Sequence, residues 1–171
     1  KQQIEVLGGA YYDAILPLLY PADRNGQIDL LSTELRQNLG KRPRGIALYQ
    51  DSWDSSLVNS IQSSGIEYIV LDGSIIKPED KKFLPLVMTE MGKSIEIFPY
   101  HDEFNPEPDI SPRDFALDII KAIEKIEKKD KYVQLQPDRV VTICLDHKTM
   151  ARLIESKWFE SFAKYLKANP D

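Results

Sequence analysis

Gly45-Ile46-Ala47-Leu48-Tyr49-Gln50-Asp51-Ser52-Trp53-Asp54 reads as a buried strand running directly into a loop. Arg42-Pro43-Arg44 ahead of it has turn composition, Gly45–Tyr49 is apolar, and a helix is expected to open near Ser55-Ser56. In α/β domains the loop after a strand's C-terminal end is where reacting groups are placed. Gln50, Asp51 and Trp53 therefore form the first candidate site, two polar side chains and one aromatic ring in a βα loop. The plain alternative is an ordinary connecting loop.

Working outward toward the N-terminus, Gln27–Leu39 has helical spacing, with Ile28, Leu31, Leu35 and Leu39 on one stripe and Gly40 placed for a left-handed C-terminal cap. Tyr20–Gly26 has loop composition. Ala10–Leu19 has helical spacing with Pro17 as a breaker. Ile4–Leu7 reads as a short strand stopped by Gly8-Gly9. Toward the C-terminus, Ser56–Ser64 is expected as a helix with Leu57, Val58 and Ile61 inward. Tyr68–Leu71 is a continuous apolar strand of the kind covered on both faces, with Asp72-Gly73 at its end. Leu84–Glu90 and Ser94–Pro99 suit a hairpin around Met91-Gly92-Lys93, and His101–Ser111 an acidic, proline-containing loop. Pro112–Lys128 is a helix with Ser111 as N-cap and Pro112 at the first helical position. Val140–Leu145 reads as another covered strand, ending at Asp146-His147-Lys148. Short helices over about Thr149–Ser156 and Lys157–Ala168 follow, with Trp158, Phe159, Phe162 and Tyr165 expected in the core.

Strands near residues 4, 45, 68 and 140 thus alternate with helices, the pattern of βαβ units and a mainly parallel sheet. Four strands do not close a barrel alone, so the sheet is either open or part of a larger barrel. The 171 residues suffice for one domain, 1–171, with a real core. Apolar content of 42% and charged content of 29% exclude a disordered or membrane-embedded chain. The net charge, 22 − 27 = −5, argues against a nucleic-acid partner. No apolar run is long enough for a membrane span, and no signal peptide opens the chain. Lys1 in place of an initiator methionine points to a piece of a longer protein. One cysteine, Cys144, leaves no internal disulfide, fits a reducing, cytoplasmic setting, and is expected as an inert core thiol. His101 and His147 have no metal-ligand spacing and Gly8-Gly9 lacks a third glycine, so neither metal nor cofactor is expected. Oligomeric state is left open.

Five stretches, taken in order, resemble glycoside hydrolase family 57, a group of 4-α-glucanotransferases and α-amylases acting on α-glucans. Ile4-Glu5-Val6-Leu7-Gly8-Gly9-Ala10-Tyr11-Tyr12 through Pro17 resembles that family's "(V/I)E-x-LGG-x-(Y/F)" strand and loop. Asp23-Arg24-Asn25-Gly26-Gln27-Ile28 resembles "DR-x-GQ(I/L)". Arg42-Pro43-Arg44-Gly45 with Leu48 and Trp53 resembles "RPRG-x-WLAE-x-VWEP". Gly65-Ile66-Glu67-Tyr68 with Leu71-Asp72 resembles "GIEYT-x-(V/L)DD". Val140–Asp146 with Trp158-Phe159-Glu160 resembles the "DDGEKFG" strand and the later "GW(L/F)E" segment. Each match alone is weak; together they run across nearly the whole chain.

The resemblance implies a seven-stranded (β/α) barrel with catalysis at the strand C-terminal ends, of which this chain is the middle portion. It implies an α-glucan or maltooligosaccharide as partner and a retaining mechanism with two carboxylates about 5–5.5 Å apart. By alignment the acid/base is Asp146. The nucleophile position is Gln50, where the family has glutamate. Glu5, Tyr11, Tyr12, Gln27, Trp53 and Asp72 fall at positions implied to bind substrate. A neutral amide is a poor nucleophile, and losing a nucleophile costs orders of magnitude in rate. The neighbours also differ: Ala47 and Tyr49 replace the Trp and Ala of "WLAE", and "DGEKFG" has become Asp146-His147-Lys148-Thr149-Met150-Ala151. Two carboxylates could substitute, Asp51 and Glu5, although strand alternation would turn Asp51 away from Gln50. Three readings stay open: a catalytically impaired glucan-binding domain, an active retaining glucanotransferase or amylase, and a structural or interaction domain with the acidic loop Asp102–Asp109 as its surface.

Overall fold

The structure, a computed structural model, describes residues 4–75, 83–129 and 139–169. Their contacts divide the chain into two compact units, Lys1–Ile76 with Leu84–Pro99, and Lys77–Phe83 with Tyr100–Asp171. The architecture is α/β.

In the first unit, helix α1 (Pro21–Leu39) precedes strand β1 (Gly45–Ala47), helix α2 (Leu57–Ser63) and strand β2 (Tyr68–Asp72). A hairpin of β3 (Leu86–Glu90) and β4 (Lys93–Tyr100) completes a four-stranded sheet of order β1-β2-β4-β3. β1 and β2 run parallel, Ile46 opposite Ile69; β3 and β4 run antiparallel, Glu90 opposite Lys93. The hairpin stands as expected, but its turn is shorter than Met91-Gly92-Lys93: Lys93 already belongs to β4, and Met91 and Gly92 both have positive φ (49° and 78°), as a two-residue turn matching the strand twist requires. The core lies between the sheet and α1 and α2, with Leu16, Ile28, Ile46, Leu57, Ile61 and Ile69 buried almost completely. Each such aliphatic side chain contributes about 1.5–3 kcal/mol. β2 alternates buried and half-buried residues, so one face is fully covered and the other partly.

Three expectations in this unit are corrected. α1 begins at Pro21, so Tyr20–Gly26 is largely helical: Pro21 occupies the first turn, where its missing N–H is harmless, and Gly26 sits inside the helix. The left-handed cap at Gly40 (φ 76°) stands as expected, but Leu39 is 56% exposed. Ala10–Leu19 is not an α-helix. A turn with Asp13 at φ 51° leads into one 3₁₀ turn, Leu16–Leu18, whose Pro17 cannot donate to a helical ladder. Ile4–Leu7 forms no strand. Only Gly8 bridges to Ile46, through Gly8 N–H to Gly45 O (2.8 Å) and Ala47 N–H to Gly8 O (3.1 Å). Upstream of that bridge the facing segment holds Pro43, which has no N–H, and the Arg44 N–H, which donates to the Glu5 side chain at 3.3 Å.

In the second unit, α3 (Pro112–Lys129), α4 (His147–Glu155) and α5 (Trp158–Ala168) carry the core. Phe115, Leu153 and Trp158 are its buried centre, with Ile119, Leu145 and Phe162 packed against them. The Trp158 ring stacks on Phe162 (4.9 Å between centroids) and meets Phe115 edge-on (5.3 Å), while its indole N–H donates to Ile110 O at 2.8 Å. Ser111 caps α3 as expected, accepting from the Asp114 N–H (3.1 Å) and donating its hydroxyl to the Asp114 carboxylate (2.7 Å). Phe159, expected in the core, is 36% exposed. Val140–Leu145 is not a covered strand: it makes one isolated parallel bridge, Thr142 to Tyr100, and Ile143 is 37% exposed. Cys144 is accordingly exposed, not a core thiol.

Candidate active site

β1 and β2 are parallel, and the Gly8 bridge to Ile46 is parallel too. Three loops of the first unit therefore leave at the same strand end. Gly9–Asp13 carries Tyr11 and Tyr12, Leu48–Ser56 carries Gln50, Asp51 and Trp53, and Gly73–Ile75 follows Asp72, the last residue of β2. This is the C-terminal end, the position from which α/β folds present ligand-binding groups.

The loop after β1 departs from the alternation expected of it. β1 stops at Ala47, and Tyr49–Asp51 forms a 3₁₀ turn in which Gln50 (φ 52°, ψ 31°) and Asp51 (φ 48°) are both left-handed. Neither is glycine, and such backbone persists where surrounding structure enforces it. Gln50 is exposed and Asp51 half-buried. Because the segment is not extended, the alternation that would turn Asp51 away from Gln50 does not operate here. Trp53 is half-buried and packs against the core, while Tyr49 is 46% exposed. The Asp54 carboxyl is held below its ordinary range, chiefly by the Ser56 hydroxyl and amide.

The tyrosine loop presents two solvent-facing rings in edge-on contact, 4.8 Å between centroids, with Tyr12 73% exposed. Gln27 stands behind this loop: its Oε1 accepts the Tyr12 N–H (3.0 Å) and its backbone O accepts the Tyr11 N–H (3.2 Å). The Asp72 carboxylate accepts from the Ser74 N–H at 2.8 Å, closing a local turn after β2.

Glu5 does not share this end of the sheet. It precedes the Gly8 bridge and lies at the N-terminal end of β1, where its carboxylate accepts from the Arg44 N–H. Burial, and then the neighbouring Glu5 carboxylate, push the Tyr68 phenol up from its ordinary value. Arg44 is itself paired with Glu67 through Nε (3.0 Å) and Nη2 (2.5 Å).

In the second unit, Asp146 is the N-cap of α4. One carboxylate oxygen accepts from the Lys148 N–H (2.7 Å) and the Thr149 N–H (2.9 Å); the other accepts from the Thr149 hydroxyl (3.0 Å). These bonds, the Thr149 amide's foremost, hold the carboxyl below its ordinary range. The local signal was in the sequence: aspartate three residues before a threonine and immediately before the apolar spacing Met150, Leu153, Ile154. α4 accordingly starts at His147, two residues earlier than the expected Thr149.

Among the described residues, no group of three or more His, Cys, Asp and Glu side chains is placed to hold a metal, and no helix is long and apolar enough to cross a membrane.

Residues 1–170 match the sequence profile of Glycosyl hydrolase family 57. Alpha-amylase 1 of Dictyoglomus thermophilum is 28% identical over 180 residues, spanning 99% of this chain and 25% of the relative. The 4-alpha-glucanotransferase of Thermococcus kodakarensis is 28% identical over 128 residues, spanning 72% of this chain and 19% of the relative. The chain thus spans about a quarter or less of the length of these curated relatives. Of solved structures, the 4-alpha-glucanotransferase from Thermococcus litoralis superposes with a TM-score of 0.70 at 24% identity, covering 98% of this chain and 26% of that one. The family 57-type branching enzyme from Pyrococcus horikoshii gives 0.70 at 14% identity, covering 97% and 42%. At these identities the structures share the fold.

Proposed function

We propose that this chain, which belongs to glycosyl hydrolase family 57, is the middle portion of a (β/α)7 barrel, a single domain over residues 1–171, whose strand-end face binds α-glucan while its retaining chemistry is impaired. The observation that carries this reading is Gln50, an amide at the exposed turn directly after β1, where a retaining enzyme of this family needs a carboxylate. An amide does not stabilise an oxocarbenium-like centre and does not form a stable glycosyl ester.

Asp146, the acid/base position, is kept, and it also caps α4. The exposed rings of Tyr11, Tyr12 and Tyr49 provide apolar faces for sugar C–H groups. The names of the relatives, amylase and glucanotransferase, point to an α-glucan. The second reading, an active retaining enzyme, draws on Asp51, which in a left-handed turn is not constrained to face away from Gln50.

The test is a paired assay with maltoheptaose, binding by calorimetry and product formation by chromatography, for the native protein, Gln50→Glu and Asp51→Asn. Binding without turnover, and turnover gained in Gln50→Glu, is the expected result. Native turnover that is lost in Asp51→Asn establishes the active reading with Asp51 as nucleophile. No binding by either the native protein or Gln50→Glu leaves the structural-domain reading.

A further inference from the structure

We propose that Arg24 and Gln27, three residues apart on α1, are positioning residues that clamp the Gly9–Asp13 and Leu48–Ser56 loops and so set the spacing of the exposed tyrosines and Gln50; for glucan binding this rests on the function proposed above.

Residues three apart on a helix lie on one side of it. The Arg24 guanidinium spreads its donors over three acceptors: Nε to Leu19 O, Nη2 to Pro17 O and Nη1 to Ser56 Oγ, each at 2.9 Å. Two of these acceptors belong to the 3₁₀ turn after the tyrosine loop, Pro17 as its middle residue and Leu19 as its C-terminal cap. The third belongs to the loop after β1, and Ser56 in turn donates its N–H to Asp54 Oδ1 at 2.9 Å. Gln27 holds the other end of the tyrosine loop through its bonds to the Tyr11 and Tyr12 amides.

Both loops need such support. Each contains left-handed non-glycine backbone, Asp13 in one and Gln50 with Asp51 in the other, and neither has a ladder of its own. A planar fork directed at three acceptors is what arginine supplies and lysine does not. The carbonyls of Pro17 and Leu19 lie before α1 begins, so the guanidinium also ties the helix start to the chain leading into it.

The variants are Arg24→Lys, Gln27→Ala and Gln27→Glu. Gln27→Glu keeps an oxygen to accept the Tyr12 N–H but removes the amide donor that a direct sugar contact would use. Two readouts do not depend on glucan. Amide exchange followed by NMR is expected to speed up at Tyr12 by about tenfold in Gln27→Ala and to stay near native in Gln27→Glu. In protein labelled with 5-fluorotryptophan, the Trp53 resonance is expected to shift or broaden in Arg24→Lys, with Trp158 unchanged as internal control. For maltoheptaose, affinity is expected to fall about tenfold in Arg24→Lys and Gln27→Ala, and to be restored in Gln27→Glu.

Native Tyr12 exchange in Gln27→Ala together with a native Trp53 resonance in Arg24→Lys overturns the clamp. Affinity lost equally in Gln27→Glu and Gln27→Ala, with Tyr12 exchange native in Gln27→Glu, makes Gln27 a sugar contact and overturns its positioning role. A native protein that binds no glucan removes the proposed function, and the two spectroscopic readouts then decide the clamp by themselves.

Discussion

Gly45 and Tyr68 are partners across the parallel β1–β2 pair, and a Cβ on Gly45 would stand 2.2 Å from Cζ of Tyr68. The glycine that ends Arg42-Pro43-Arg44-Gly45 and the tyrosine that ends Gly65-Ile66-Glu67-Tyr68 are thus one packing decision: the ring lies where a side chain at 45 would be. Gly45→Ala is expected to destabilise the protein by about 1–3 kcal/mol, since a methyl group forced into a filled site displaces the ring or the strand. Tyr68→Ala empties that space. The double variant should therefore be more stable than the sum of the two singles implies, by about 1 kcal/mol or more, in a denaturant-unfolding cycle. Additive losses would mean that the ring relaxes away freely.

Gly26 is the opposite kind of glycine. It lies inside α1 with helical backbone, and a Cβ built on it meets nothing within 4 Å. Glycine in an exposed helical position is less favourable than alanine by about 1 kcal/mol. Gly26→Ala is expected to raise stability by about 0.5–1 kcal/mol, read as a higher denaturant midpoint with an unchanged slope. A loss of stability would show that the position needs a backbone conformation that alanine resists.

This glycine is also where reading the sequence as punctuation went astray. Pro21 and Gly26 both suggest a loop, yet one sits at the helix start and the other is tolerated within it, so α1 gains a turn and a half that composition hides. The reverse happened at Ala10–Leu19, where apolar spacing suggested a helix and Pro17 limited it to a single 3₁₀ turn. β1, β2, the β3–β4 hairpin, α2 and α3 were legible because pattern and flanking turn residues agree there. Val140–Leu145 was not: an apolar run states that a segment can be covered, and only a pairing partner decides that it is. At the candidate site, the pattern placed Gln50 and Trp53 in the loop after β1 and Asp72 at the end of β2, whereas Tyr11 and Tyr12 fell in the Ala10–Leu19 stretch expected as a helix. It did not place Glu5 at the other end, because that depends on where the single bridge at Gly8 sets the register. Nor did it give Arg24, quoted only as part of the Asp23–Ile28 stretch, a clamping role: two of its three partners are backbone carbonyls without a sequence signature.

Gln50 tests whether the loop geometry is intrinsic. Its φ of 52° is a region that glycine occupies freely and that β-branched residues resist. Because Gln50 is exposed, substitution there removes little packing. Gln50→Gly is expected to be neutral or stabilising by up to about 1 kcal/mol, and Gln50→Val to be destabilising by about 1–2 kcal/mol. Thermal unfolding of both variants decides the matter: equal effects would mean the turn at 50 is not left-handed in solution.

Asp146 offers the sharpest separation of structure from chemistry, because asparagine caps a helix about as well as aspartate but cannot transfer a proton. Asp146→Ala removes every cap bond of its side chain and is expected to lower Tm by about 2–4 °C, while Asp146→Asn stays close to native at neutral pH. The pH dependence has a definite sign. The folded carboxyl sits below its ordinary range, so its stabilising contribution is present above the unfolded value, near pH 3.9, and disappears as pH falls through the folded value. The stability of the native protein relative to Asp146→Asn should therefore be flat above about pH 5 and decline only in the acid range below about pH 4. Glucan turnover in Gln50→Glu supplies the chemical half. If Asp146 acts only as a cap, adding Asp146→Asn leaves that turnover within a few-fold; if it also serves as acid/base, turnover falls by about 10²–10⁴-fold with Tm unmoved.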